Sequence, residues 1–252
     1  MVYVTGDMHG DIDRLFDRQW NKLKSGDTVF ICGDFGFLWN GSKEEKEVIK
    51  YLSTRKYTVV FLDGTHDNFD MIYKCRQTVW KGGLVHRIGD NLYHLCRGQI
   101  YNVEGISIFA FGGGESTDKD MRVEQGNWWR EENPTPSEMT QGAKTLDEAD
   151  KQVDFILTHE PPAPVKSAML LRRSETEIIT KINGYFDRIS RITTFKHWYF
   201  GSLHEDRMIT PKHTCVFKKL IPLNNDYVDV ETWQSLISTA NSLNSQTITK
   251  GN

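Results

Sequence analysis

Five short runs of β-branched and aromatic residues each break into a loop that carries aspartate or histidine, and this pairing constrains the chain more than any other feature. Val2-Tyr3-Val4-Thr5 leads into Gly6-Asp7-Met8-His9-Gly10-Asp11, and Thr28 to Cys32 leads into Gly33-Asp34-Phe35-Gly36. Thr58 to Leu62 leads into Asp63-Gly64-Thr65-His66-Asp67, Asp154 to Thr158 into His159-Glu160-Pro161, and Lys196 to Phe200 into Gly201-Ser202-Leu203-His204. Runs of this kind read as strands, and helical spacing between them reads as βαβ units. The carboxyl ends of parallel strands share one sheet edge, where the loops form a ligand crevice. The five exits should therefore converge in space, although they lie far apart in sequence.

The intervening segments supply further expectations. Ile12, Leu15, Phe16, Trp20 and Leu23 recur at helical spacing, which predicts one helix ending near Lys24-Ser25-Gly26. Ser42 and Glu45 read as a capping box for a helix that buries Val48, Ile49 and Leu52. Gln99–Val103 and Ile106–Phe111 flank Glu104-Gly105 and read as a hairpin. Gly112 to Gly114 then opens a polar loop through Arg122 that precedes Trp128-Trp129. Met139, Ala143 and Leu146 mark another helix, and Ser174 is expected to cap one carrying Ile178, Ile179, Ile182 and Phe186. Residues 1–235 are expected to form one domain, with 236–252, rich in Ser, Thr and Asn, as a frayed tail.

Composition excludes several classes of function. With 31 Lys and Arg against 34 Asp and Glu, the net charge is −3, so no broad basic surface for nucleic acid is indicated. The longest apolar runs fall far short of the roughly 20 residues that cross a bilayer. The N-terminus lacks the basic and apolar regions of a signal peptide, so a cytoplasmic protein is expected. Four cysteines without a CxxC pair suggest reduced, structural thiols.

Aspartate and histidine donors without thiolates suit Mn²⁺, Fe or Zn²⁺ better than Ca²⁺ or Mg²⁺ alone. The blocks themselves resemble those of the calcineurin-like metallophosphoesterases. Gly6-Asp7-Met8-His9-Gly10 is similar to the family's first block and Gly33-Asp34 to its second. Gly64-Thr65-His66-Asp67, His159 and Gly201-Ser202-Leu203-His204 resemble the third, fourth and fifth, in the family's order.

The resemblance implies a four-layered α/β/β/α sandwich with two metal ions, Mn²⁺ foremost. By carry-over, Asp7, His9 and His204 hold the first ion, Asp34 bridges both, and His159 serves the second. The family's pattern has Asn at position 65 and His at position 202, where this chain carries Thr65 and Ser202. Both departures fall on the same ion, and a hydroxyl is a poor neutral ligand, so one tight site and a weak or absent second site are expected.

The implied reaction is hydrolysis of a phosphomonoester or phosphodiester by a metal-activated hydroxide. His66 matches the family's general acid, with Asp67 expected to orient its ring. Lys119 and Arg122 are candidate phosphate contacts, although each alone reads more readily as a solvated charge. Trp128 and Trp129 read as packing under a long loop rather than as a base-stacking platform. His86, His94, His197 and His213 lie outside the blocks and read as structural or surface residues. A different class of function remains open: a catalytically impaired member that binds metal or a phosphate ligand as a regulatory protein.

Overall fold

The computed structural model describes residues 1–171 and 178–223. The first half runs β1 (Val2–Thr5), α1 (Ile12–Leu15), α2 (Arg18–Asn21), β2 (Thr28–Cys32), α3 (Lys43–Ser53), β3 (Thr58–Leu62) and α4 (Phe69–Tyr73). It continues through β4 (Gln77–Trp80), β5 (Gly83–Arg87) and β6 (Leu92–Leu95). The second half comprises β7 (Gln99–Val103), β8 (Ile106–Phe111), α5 (Lys119–Glu124), α6 (Pro136–Glu148), β9 (Phe155–Thr158), α7 (Ala163–Leu170), α8 (Lys181–Ile192) and β10 (His197–Phe200). It ends in β11 (Arg207–Thr210), β12 (His213–Cys215) and β13 (Ile221–Pro222).

Two mixed sheets result, in the orders β13-β1-β2-β3-β6-β5-β4 and β11-β12-β10-β9-β8-β7. The parallel cores are β1-β2-β3-β6 in one and β8-β9-β10-β12 in the other. Alternation along each central strand explains the stacking. Phe30, Val60 and Leu62 face the second sheet and meet Ile108, Ala110, Phe155 and Leu157. Their neighbours Val29, Ile31, Val59 and Phe61 pack outward against Leu15, Trp20 and Leu52 of α1–α3. On the far side, Phe109, Ile156 and Trp198 pack against Leu146, Ile182 and Phe186 of α6 and α8. Strands covered on both faces have no solvent face, hence their nearly unbroken apolar sequence. The result is the four-layered α/β/β/α sandwich. Among the described residues no helix is long and apolar enough to cross a membrane.

Local chemistry departs from several expectations. The single helix expected from Ile12 to Leu23 is two, because Asp17 accepts from the Gln19 amide and starts a new helix after Phe16. Ile12 and Phe16 are exposed, while Leu15, Trp20 and Leu23 enter the core. Ser42 caps α3, but the Glu45 carboxylate accepts from the amides of Trp39, Asn40 and Gly41 instead of closing a box on Ser42. Helix α8 begins at Lys181, capped by Thr180 with Asn183; Ile178 and Ile179 precede it and are exposed. Ser174 and the tail lie outside the described residues. The hairpin is as expected, with Glu104 and Gly105 both at positive φ.

One buried ion pair joins the halves. Arg97 donates from Nε to Asp63 Oδ2 at 2.9 Å and also reaches Glu138, while His94 Nε2 lies 3.0 Å from Asp63 Oδ1. Burial pushes the Asp63 carboxyl up, but the Arg97 charge and the bonds from His94 and Arg97 outweigh it, leaving it well below the carboxylate range. Arg97→Leu strands this charge in the interior and should cost about 3–5 kcal/mol in urea denaturation. A carboxylate with a depressed folded pKa stabilises the fold above its unfolded value, about 4, and that contribution is lost as pH falls further. The wild type should therefore weaken as pH falls below about 4, whereas Arg97→Leu, in which burial favours the protonated Asp63, should lose its stability as pH rises, both read from Tm against pH.

Candidate metal centre

The loops leaving β1, β2, β3, β9 and β10 meet at one edge of the sandwich. Asp7 follows β1, Asp34 follows β2, His66 follows β3, His159 follows β9 and His204 follows β10. Three residues there take left-handed backbone conformations: His9 at φ 49°, Asp34 at 43° and His204 at 53°. Non-glycine residues adopt this region rarely, and such strain gathers where a site needs side chains aimed inward. Two glycines permit the approach of the two sheets. A Cβ on Gly33, whose φ is 113°, would overlap the His159 ring, and one on Gly201 would overlap the Asp7 carboxylate.

Ligand atoms of Asp7, His9, Asp34 and His204 all lie within 4.8 Å of one another. His204 Nε2 is 3.0 Å from Asp7 Oδ2 and 3.0 Å from His9 Nε2, and His9 Nε2 is 3.7 Å from Asp34 Oδ2. Donors about 2.1 Å from a common cation stand about 3.0–4.2 Å apart, so these spacings fit one ion. Asp7 is fully buried, and its Oδ1 makes no close hydrogen bond, facing His159 Nδ1 at 3.4 Å. Two buried carboxylates side by side, Asp7 and Asp34, are costly unless cations serve them. The residues present therefore fit a divalent metal.

His159 sits outside this quartet, fully enclosed, with Nδ1 3.4 Å from Asp7 Oδ1 and Nε2 3.9 Å from Asp34 Oδ1. Thr65 Oγ1 lies 3.0 Å from His66 Nδ1. The Ser202 amide donates to the His159 carbonyl at 3.0 Å, while its hydroxyl is buried without a partner. The strong donors on this side are the His159 imidazole and the Asp34 carboxylate.

Charge is strongly organised here. Burial would raise the Asp7 carboxyl, but the adjoining His159 and the bond from His204 bring it below its usual value. Asp34 is lowered further, burial being outweighed by His159, His66 and His9. Burial opposes a charge on His159 as well, yet Asp7 and Asp34 hold its pKa well above normal. Burial prevails at His9 and lowers its pKa, favouring the neutral imidazole that a metal requires. His66 is raised, first by its bond to Asp34.

The second tier differs from expectation. Asp67 does not orient His66. Its buried carboxylate accepts from the amides of Gly64 at 2.8 Å and Gly36 at 3.3 Å, bracing both turns, and burial beside Asp34 pushes its pKa up to about 7. The His66 ring instead lies between Asp34 Oδ2, 3.2 Å from Nδ1, and Asp118 Oδ2, 3.2 Å from Nε2. Asp118 was missed because nothing local marks a loop carboxylate as the partner of a residue 52 positions earlier. Arg14, also missed, is buried and donates to the carbonyls of Asp7 and Phe217, bracing the first loop.

The candidate phosphate contacts lie on α5 rather than on a loop. Arg122 is buried, donating to the Thr65 carbonyl at 2.7 Å, Glu132 at 3.1 Å and the Asn127 carbonyl at 2.9 Å. Its guanidinium thus holds the Thr65 backbone instead of facing a substrate. The Lys119 ammonium lies 4.5 Å over the Trp128 ring. Trp129 packs edge-on against Trp39 and donates to Asp70.

A family model described as calcineurin-like phosphoesterase matches residues 1–188, a span that contains Asp7, His9, Asp34, His66 and His159. No curated protein matches the sequence. Among solved structures, a protein of unknown function, AQ665 from Aquifex aeolicus, is 13% identical over 64% of this chain and 78% of its own, with a TM-score of 0.36.

Proposed function

The chain belongs to the calcineurin-like phosphoesterase family, and on that premise we propose that it hydrolyses a phosphomonoester or phosphodiester. The observation that carries this reading is the convergence of ligand atoms from Asp7, His9, Asp34 and His204 within 4.8 Å of one another, two of them on fully buried carboxylates. These four would hold one divalent ion, Mn²⁺ foremost and Fe or Zn²⁺ next; His159 and Asp34 would hold a second more weakly, because Thr65 and Ser202 bring only hydroxyls. Bound there, the ions would supply Lewis acidity, neutralising phosphoryl oxygens and making water a better nucleophile at neutral pH.

The chain's own groups handle the leaving side. His66 stands between two carboxylates and so favours its protonated form. Its Nδ1 faces buried Asp34, whereas Nε2 faces Asp118, which is one-third exposed. Nε2 is thus the side of the ring from which a proton can pass to a leaving oxygen, its bond to Asp118 giving way to the substrate while the Nδ1 bond to Asp34 holds the ring. His66→Gln should lower kcat about 100-fold on esters with poor leaving groups, less on 4-nitrophenyl esters, and leave metal content unchanged.

The direct test follows hydrolysis of 4-nitrophenyl phosphate and bis(4-nitrophenyl) phosphate with added Mn²⁺, alongside bound metal. No turnover of either ester above an Asp7→Ala control would overturn the reading. Bound metal without turnover would favour the rival, a regulatory member whose second site is disabled by Thr65 and Ser202.

A further inference from the structure

A groove of about 440 Å³ adjoins the metal centre, its lining including His9 and His66 together with Glu44, Glu45 and Val48 from the start of α3. We infer that this groove receives the leaving group of the substrate and selects an uncharged or cationic flat ring over an anionic one; the inference rests on the hydrolase reading above. A group departing from phosphorus past His66 enters the groove directly, since His66 is part of its wall.

Ile12, Phe37, Trp39 and Val48 line the groove and supply the apolar surface that a ring would meet, and Ile12 is 43% exposed. Trp39 is a fixed platform. Its amide donates to Glu45 at 3.0 Å, its carbonyl accepts from Asn68 at 2.6 Å, and its ring meets Trp129 edge-on at 5.4 Å. A pre-positioned aromatic wall favours a flat ligand ring at little entropic cost.

Charge sets the second half of the selectivity. Among the described residues no Lys or Arg lines the groove, and the carboxylates that do are Glu44 and Glu45. Glu45 is turned to the amides of Trp39, Asn40 and Gly41, whereas the exposed Glu44, bonded by its own amide and the Ser42 hydroxyl, keeps a charged carboxylate on the groove wall. Away from His66, an anionic substituent on the ring would meet the Glu44 carboxylate and no Lys or Arg among the described lining residues.

Calorimetry of the Mn²⁺-loaded protein with non-hydrolysable phosphonates tests this without requiring turnover. Phenylphosphonate should bind about 10-fold tighter than methylphosphonate, the ring supplying the difference. Trp39→Ala should erase that ratio while leaving methylphosphonate unchanged, and Trp39→Phe should retain most of it. A 4-carboxyphenyl ring should bind more weakly than a 4-(aminomethyl)phenyl ring, and Glu44→Lys should reverse the order. A ratio near one, equal losses for both ligands in Trp39→Ala, indifference to ring charge, or no phosphonate binding would each overturn the inference. The expected ranking without hydrolysis of any ester would support the ring subsite and sink the hydrolase reading alone. Hydrolysis with no ring preference would do the reverse.

Discussion

Asp7→Ala is expected to empty the first metal site and lower hydrolysis by about 1000-fold or more, because the ion's stabilisation of the transition state, several kcal/mol, goes with it. Asp7 holds the site from both of its oxygens, with Oδ2 facing His204 and His9 and Oδ1 facing His159. The substitution also removes the nearer of the two site carboxylates that face the buried His159, so some loss of Tm accompanies it. Asp7→Asn keeps the volume and one acceptor oxygen, and separates the two effects. Both variants should lose metal and turnover, whereas Mn²⁺ should raise the Tm of the wild type alone, as any ligand of the folded state does. Turnover of Asp7→Asn within tenfold of wild type would show that the reaction does not depend on this centre.

The second large effect runs upward. Thr65→Asn with Ser202→His should raise bound metal from one ion toward two and increase hydrolysis by two to three orders of magnitude, roughly the contribution of a restored Lewis acid. Ser202 is suited to the change, because its hydroxyl is buried without a partner and its amide is bonded to the His159 carbonyl, fixing the backbone beside the intended ion. Thr65 is the tighter position, since its methyl packs on Gly114 and its carbonyl is held by Arg122, but Asn adds little volume. Each single variant should recover only part of the gain, because the two donors serve one ion and their effects are coupled. Metal content by elemental analysis and kcat/KM on the two nitrophenyl esters are the readouts. An unchanged stoichiometry would mean that positions 65 and 202 do not face the second ion.

The strand exits were legible because alternating apolar runs and their terminating Gly-Asp or His residues are local signals. β2, β3 and β9 declare themselves through near-continuous burial on two faces. β4, with its alternately exposed and half-buried Gln77–Trp80, was not recognised, nor was its pairing with β5 through the Lys81-Gly82 turn. An edge strand lacks the doubly buried pattern that marks a central one. The helix expected over residues 12 to 24 failed for a related reason: periodicity did not register Asp17, whose side chain bonds the Gln19 amide and restarts the chain.

Partners of charged groups were the least legible part. Asp67 sits next to His66 in sequence yet bonds Gly36 and Gly64, while His66 finds Asp118 from across the fold. Arg122 reads as a surface cation and is a buried brace for Thr65. By itself the sequence determined which residue types leave the strands and therefore which chemistry could collect at one edge, because strand propensity and turn chemistry act over a few residues. Only the tertiary structure decided that Asp7, His9, Asp34 and His204 share one point, that Asp118 rather than Asp67 stands beside His66, and that Trp39 lines a groove with no Lys or Arg among its described residues. Those outcomes depend on how two sheets pack through their inner faces, a long-range arrangement that no local pattern encodes.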